Sequence, residues 1–235
     1  MSKSNLNKKN FICIIPARGG SKGIKNKNLL KFKKTSLLGN SILQSRKSHL
    51  IKRTFVSTDS KKVANEAKKN KAEVPFVRPK RLASSHSPEI YSWRHAVDFL
   101  DKELNLRPDY IVSLPSTAPL RSLVDINQCI KKAVKNNLDL VSCITPSYRN
   151  PYFNILEKNK GKFKIASKKK KNFFRRQDAP KCFDLTTACY VFKPSYIKKT
   201  LDLYSGNVGF VIIPKERSID IDDIWDYKIA NLFAK

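Results

Sequence analysis

The chain has no run of about 18 consecutive apolar residues, so no transmembrane helix or membrane insertion is expected. Its opening stretch, MSKSNLNKKN, holds no apolar core ahead of the first strand-like run, which argues against a secretory signal peptide. Cysteine is sparse and odd in number: Cys13, Cys129, Cys143, Cys182 and Cys189 show no C-x-x-C spacing. Three of them sit in apolar, strand-like runs, where cysteine behaves as a small hydrophobe, so a reducing, cytoplasmic setting is predicted. No internal repeat is present. Glycine is also rare, with 7 in 235 residues, and neither familiar phosphate loop can be built from them. The P-loop needs a Gly-Lys pair five residues after its first glycine, and no glycine near the start of the chain has one. The dinucleotide fingerprint would need glycine at position 18, where the chain has Arg18.

Acidic residues are few as well, 19 against 48 Lys and Arg, for a formal net charge of +29. So basic a balance ordinarily points to nucleic acid. Here the lysines are spread along predicted helix faces and loops among many asparagines, so charge alone identifies no partner and no specific nucleic acid is expected. The densest run is Lys168 to Lys171, followed by Arg175 and Arg176; a solvated face is preferred there over an RNA site. Small anionic substrates are attracted by such a field in either case.

What the chain does have is concentrated in FICIIPARGGSKGIKNKNL, residues 11–29. An apolar run ends at Pro16 and delivers a glycine-rich loop carrying Arg18, Ser21, Lys22, Lys25 and Lys27. Exposed backbone N–H groups beside several positive side chains suit a polyphosphate. A lysine-rich surface turn is the alternative reading.

Strand-like runs are predicted at Phe11–Pro16, Thr54–Ser57, Val74–Val77, Tyr110–Leu114 and Leu138–Ile144. Helical patterns lie between them at Ser36–Ser48, Lys61–Asn70, Pro88–Leu104 and Leu123–Asn136. In the third helix Ser87 is predicted as N-cap, with Pro88 at the first helical position and Glu89 behind it. This alternation implies an α/β, Rossmann-like, mostly parallel sheet sandwiched by helices, with 1–235 as a single domain. Ligands in such sheets bind beyond the carboxyl ends of the strands, so the 17–28 loop, Asp59, Arg78 and the 115–121 loop should share one rim. From 147 to 180 the chain is polar, Lys/Arg-rich and spotted with aromatics, and reads as an inserted element. Strands resume at Thr187–Phe192 and Val208–Ile213, followed by a helix from about Asp223.

Near the end, Asp220 and Asp222 alternate with Ile219 and Ile221. In an extended segment both carboxylates point to one side while the isoleucines pack inward. Two adjacent carboxylates call for a positive partner, and Mg²⁺ commonly takes one or two carboxylates plus substrate phosphates. Asp223 reads as the N-cap of the last helix. A capped turn with solvated acids is the competing reading of the pair.

Together with VSTDS (56–60), RPKRLASS (78–85), STAPLR (116–121) and SIDIDDIWD (218–226), the 11–29 stretch resembles the acylneuraminate cytidylyltransferase family of sugar cytidylyltransferases. The resemblance spans nearly the whole chain. It implies the nucleotide-diphospho-sugar transferase type of fold, and CMP transfer from CTP to the anomeric hydroxyl of an acidic nine-carbon sugar, with release of pyrophosphate. It implies Arg18, Gly20, Ser21, Lys22, Lys27 and Asn28 on the nucleotide's phosphates, Lys27 near the scissile bond, and Arg78 with the backbone around Ser87 on cytosine. Asp220 and Asp222 hold catalytic Mg²⁺ by the same resemblance, and Arg176 and Gln177 meet the sugar acid. Residues 147–180 become a protruding dimerisation element that reaches the partner's sugar pocket, so a homodimer is expected. Where the sialic-acid enzymes usually carry Gln in QPTSPLR this chain has Pro115, and Asp184-Leu185-Thr186-Thr187 stands in place of Arg-Pro-Asn-Gly. Those departures point toward legionaminate, pseudaminate or another ulosonate as readily as toward a sialic acid. A 3-deoxy-manno-octulosonate cytidylyltransferase is the alternative in the same class; a non-catalytic basic RNA-binding protein is the alternative outside it.

Overall fold

The computed structural model describes residues 6, 8–21, 23–167 and 173–234. Lys22 and the run Lys168 to Lys171 lie outside the described residues. A six-stranded sheet forms the centre, in the order β10 (Val208–Ile212), β6 (Leu140–Pro146), β9 (Phe183–Phe192), β5 (Tyr110–Ser113), β1 (Phe11–Pro16) and β4 (Ile51–Ser57). All of its strands run parallel except β9, which is antiparallel to both β5 and β6. The short strands β2 (Lys31–Phe32) and β3 (Thr35–Ser36) pair with each other outside it. Alternate residues of a strand face opposite sides of the sheet, and β1 uses both. Phe11, Cys13 and Ile15 join Leu38, Ile42, Ile126 and Ile130 in one core layer. Ile12 and Ile14 meet Trp93, Ala96 and Val97 in the other. The helices behind these layers are Leu37–Lys47 and Leu123–Lys135 on one side and Glu89–Lys102 on the other. No described helix is long and apolar enough to cross a membrane.

All five cysteines are free, and Cys13, Cys129, Cys143 and Cys189 are buried. Burial pushes the Cys13 thiol well up, as expected of a group that packs rather than reacts.

Two local expectations are corrected. Val74–Val77 is not a strand: pairing beside β4 stops at a single bridge from Phe55 to Glu73. Pro75 has no N–H to continue the ladder, and Phe76 turns inward against His95 and Phe99 instead. Ser87 does not cap the following helix. Pro88 occupies the cap position in extended geometry (φ −54°, ψ 140°), no side chain caps the helix, and Glu89 begins it. The Ser87 hydroxyl is instead buried without a partner. Residues 147–180 include regular structure of their own. They hold a hairpin of β7 (Leu156–Asn159) and β8 (Lys162–Ile165) that stands off the main sheet. Its two-residue turn places Lys160 at φ 45° and Gly161 at φ 79°, the left-handed pair that matches strand twist.

The predicted cap at Asp223 is present. Its carboxylate accepts from the N–H groups of Trp225 and Asp226 at 2.7 and 3.0 Å, and Asp226 reaches back to the N–H groups of Asp222 and Asp223. This reciprocal box fixes the backbone that carries Asp222.

Candidate active site

The loop after β1 is held from three sides. Gly19 donates its N–H to Asp59 Oδ1 at 2.8 Å, and a Cβ at Gly19 would lie 2.6 Å from Ser60 Cβ. Asn28, buried at the far end of the loop, donates to the Arg18 carbonyl at 2.8 Å and accepts from the Ser116 hydroxyl. The third hold comes from the other end of the chain. A Cβ at Gly23 would sit 2.1 Å from the Asp222 carbonyl oxygen, so only glycine lets these segments touch. Lys27 Nζ donates to the Ile221 carbonyl at 2.5 Å and lies 3.2 Å from Asp222 Oδ1. Ile221 N–H in turn donates to the Thr117 carbonyl at 2.8 Å. Ile219 and Ile221 pack inward beside Phe32 and Leu37, as their alternation with the aspartates predicts.

These segments enclose a pocket of about 420 Å³. Of the residues proposed from sequence, Arg18, Ser21, Lys27, Asn28, Arg78, Ser87 and Asp222 line it. Gly20 sits in the same loop with open space where a Cβ would be. Asp220 does not line the pocket; it is half-buried, with Oδ1 buried and unpartnered among the described residues. A buried carboxylate oxygen without a donor wants a cation. Among the described residues no three His, Cys, Asp or Glu gather into a metal-binding set. Asp220 and Asp222 thus form a sparse oxygen donor pair, which fits Mg²⁺ because that ion keeps waters and phosphates as its remaining ligands.

Arg78 is buried, at 4 % exposure. The extended chain before Pro79 turns Val77 outward, and alternation sends Arg78 inward. Its guanidinium donates to the Ser57 hydroxyl at 3.0 Å and the Ser57 carbonyl at 2.5 Å. Loss of solvent lowers its pKa to about 10, opposed by Glu89 and Asp59 and aided by Arg18, so it stays cationic at neutral pH.

Several contributors were not singled out in the sequence. Glu89 lines the pocket, and its surface is exposed to solvent there. Burial raises its carboxyl to about 7, with Arg78 opposing and Asp220 adding to the rise. Arg121, the last residue of STAPLR, is buried and donates to the carbonyls of Ala188 and Pro115 at 2.7 and 2.6 Å and to Gln44 at 2.9 Å. It ties the 115–121 loop to a bulge in β9, where pairing jumps from Ser142–Tyr190 to Cys143–Thr186. The bulge turns Thr187 into the pocket, its hydroxyl buried and without a partner. No short motif marks a bulge, whereas the Arg in STAPLR was a signal available to notice.

Arg176 and Gln177 are not brought to this pocket. They lie on a single turn, Arg176–Asp178, with the Arg176 guanidinium 5.3 Å from the Tyr148 ring centre and 3.3 Å from the Ser147 carbonyl.

Comparison with known proteins bears on this geometry. Residues 12–217 match the family profile described as Cytidylyltransferase. The chain is 36% identical over 220 residues to CMP-N,N'-diacetyllegionaminic acid synthase of Campylobacter jejuni, covering 94% of this chain and 93% of that one. It is 35% identical over 225 residues to post-translational flagellin modification protein B of Campylobacter coli, covering 96% and 95%. In fold it is similar to a CMP:2-keto-3-deoxy-manno-octonic acid synthetase solved with CTP, at TM-score 0.71 and 11% identity over 95% of this chain and 98% of that one.

Proposed function

The chain belongs to the cytidylyltransferase family, and from that premise we propose that it transfers CMP from CTP to the anomeric hydroxyl of an acidic nonulosonic sugar. Pyrophosphate leaves, and the product serves surface glycan synthesis. The similarity to a CMP-N,N'-diacetyllegionaminic acid synthase favours a legionaminic-type acid over the other sugars of this class.

The observation that carries the reading is the joining of the two chain ends at Lys27. One ammonium group spans the Ile221 carbonyl and the Asp222 carboxylate, beside the loop that carries Arg18 and Ser21. In-line displacement at a phosphate needs charge neutralisation and little else from the protein. Arg18, Ser21, Lys22 and the N–H groups around Gly20 bind the triphosphate, Asn28 keeps their loop in shape, and Lys27 faces the α-phosphate. The sugar oxygen forms its bond to that phosphorus as the bond to the pyrophosphate oxygen breaks. Arg78 and the backbone near Ser87 hold the cytosine. Asp220 and Asp222 hold Mg²⁺, which when bound screens the phosphate charge and favours ionisation of the attacking hydroxyl.

The sugar pocket is completed in a homodimer, where Arg176 and Gln177 of each copy serve the other. Tyr148, Leu156, Phe163 and Phe174 expose 62, 57, 65 and 87 % of their surface on the protruding element, which supports burial against a second copy.

The test is pyrophosphate release from CTP against a panel of nonulosonic and ulosonic acids, with and without Mg²⁺. Release that requires CTP, metal and an acidic keto-sugar together is expected. Turnover in EDTA contradicts the role of the two aspartates, and preference for 3-deoxy-manno-octulosonate replaces the sugar assignment.

A further inference from the structure

A carboxylate is an unexpected wall for a pocket built around phosphates and a sugar acid, since it repels both. Glu89 is such a group. Its carboxylate makes no hydrogen bond or ion pair among the described residues; the influences on it are burial, Arg78 and Asp220. Its place is nevertheless well defined. Pro88 starts the helix in extended geometry, and Ser92 Oγ donates to the Glu89 carbonyl at 2.8 Å, holding the first turn. A negative side chain in that turn also gains from the unpaired N–H groups of the helix start. A carboxylate that lines the pocket from a well-held backbone and is left without a partner is an acceptor awaiting a ligand's donor.

Its neighbours say which donor. Arg78, assigned above to the cytosine, and Asp220, assigned to the metal and phosphates, both act on its charge. The part of a nucleotide that lies between base and α-phosphate is the ribose. A ribose offers a vicinal pair of hydroxyl donors, and a carboxylate, with two acceptor oxygens and no proton to give, is the complementary group. Carboxylates hold ribose hydroxyls in the same way in dinucleotide sites of unrelated proteins.

We propose that Glu89 accepts hydrogen bonds from the ribose 2′- and 3′-hydroxyls, so that the pocket selects ribonucleotide over deoxyribonucleotide. The proposal rests on the nucleotidyl-transfer reading above, which orients the nucleotide from Arg78 to Asp220. Two other partners compete for the same oxygens: a divalent cation shared with Asp220, and an N–H or O–H group of the sugar acid.

The deciding experiment is calorimetric binding of CTP and dCTP in EDTA to the wild type, Glu89→Gln and Glu89→Ala, with thermal melts to confirm folding. The wild type should bind CTP about tenfold or more tightly than dCTP, the scale of a lost hydrogen bond to a charged group. Glu89→Ala should weaken CTP about tenfold more than it weakens dCTP, which keeps only the 3′-hydroxyl, and so abolish the preference. Glu89→Gln, which keeps one acceptor, should fall between. A preference that survives in Glu89→Ala overturns the proposal. So does equal weakening of CTP and dCTP, an effect that appears only once Mg²⁺ is added, or a change confined to the KM of the sugar. A wild type that binds no cytidine nucleotide removes the nucleotidyl-transfer reading and this subsite with it, whereas CTP binding with no ribose preference removes the subsite alone.

Discussion

The pocket rim and the protruding element treat their polar and apolar groups in opposite ways. At the rim, segments far apart in sequence interlock: Gly23 against Asp222, Lys27 on Ile221, Ser116 on Asn28, Arg121 on Ala188. Such cross-links hold the side chains in place before substrate arrives, which is where electrostatic stabilisation gains its strength. The protruding element is tied down mainly at its root, by Ser147 N–H on the Cys182 carbonyl and Asn150 on the Pro180 carbonyl. Beyond that root it displays aromatic rings to solvent. One region is interlocked within the chain, and the other leaves apolar rings in solvent.

The contrast breaks first at the rim's charges. Asp222→Ala is expected to lower kcat by at least about 100-fold with an unchanged circular dichroism spectrum, because its side chain is 81 % exposed and carries no packing. Retained turnover would place the catalytic charge elsewhere. Next comes the interlock itself. Arg121→Ala leaves the Ala188 and Pro115 carbonyls buried without donors, so urea unfolding should show a loss of about 3 kcal/mol. A stability change below about 1 kcal/mol would mean water replaces the guanidinium there.

The protrusion is sharpened by Phe163→Asp with Phe174→Asp. Light scattering should give a monomer, while the melting temperature stays within a few degrees, since neither ring is packed in its own chain's core. Mixing an Arg176→Ala chain with an Asp222→Ala chain should then recover part of the activity that each lacks alone. No recovery in mixed dimers would confine each site to one chain.

The smallest effect is at Glu89. Its carboxyl, raised to about 7 by burial against Arg78's pull, takes up a proton in the folded state over a range where the unfolded chain has already released it. Stability therefore grows as pH falls from about 7 toward the ordinary carboxylate range, with Arg78, Asp220 and Tyr190 the charged or titratable groups around it. Glu89→Gln should raise the melting temperature by a few degrees at pH 8 and leave it nearly unchanged at pH 5. An equal shift at both pH values would mean the charge is not the cause.

Much of this was legible from residue order. The apolar run at Phe11–Pro16 has one reading because both faces of a central strand must be apolar, and the cap at Asp223 announces itself by Asp226 three residues on. The loop from Arg18 to Asn28 was legible for a similar reason: few sequences carry so many phosphate-binding groups beside rare glycines. Val74–Val77 misled because β-branched content predicts a strand while Pro75 forbids its ladder. Ser87 misled because a serine before proline satisfies the local rule for a cap, yet the pocket takes its hydroxyl instead.

By itself, then, the sequence determined the layered α/β sheet, the chemistry of the loop near its start and the paired aspartates near its end, since each depends on periodicity or on neighbouring residues. Only the tertiary structure decided that Gly23 and Asp222 touch, that Arg78 turns inward, that a β9 bulge supplies Thr187 and that Glu89 lines the pocket without a partner among the described residues. Those outcomes depend on chain crossings that bring residues some 200 positions apart within bonding distance, as Lys27 and Asp222 show. Long-range closure of that kind leaves no local pattern to read.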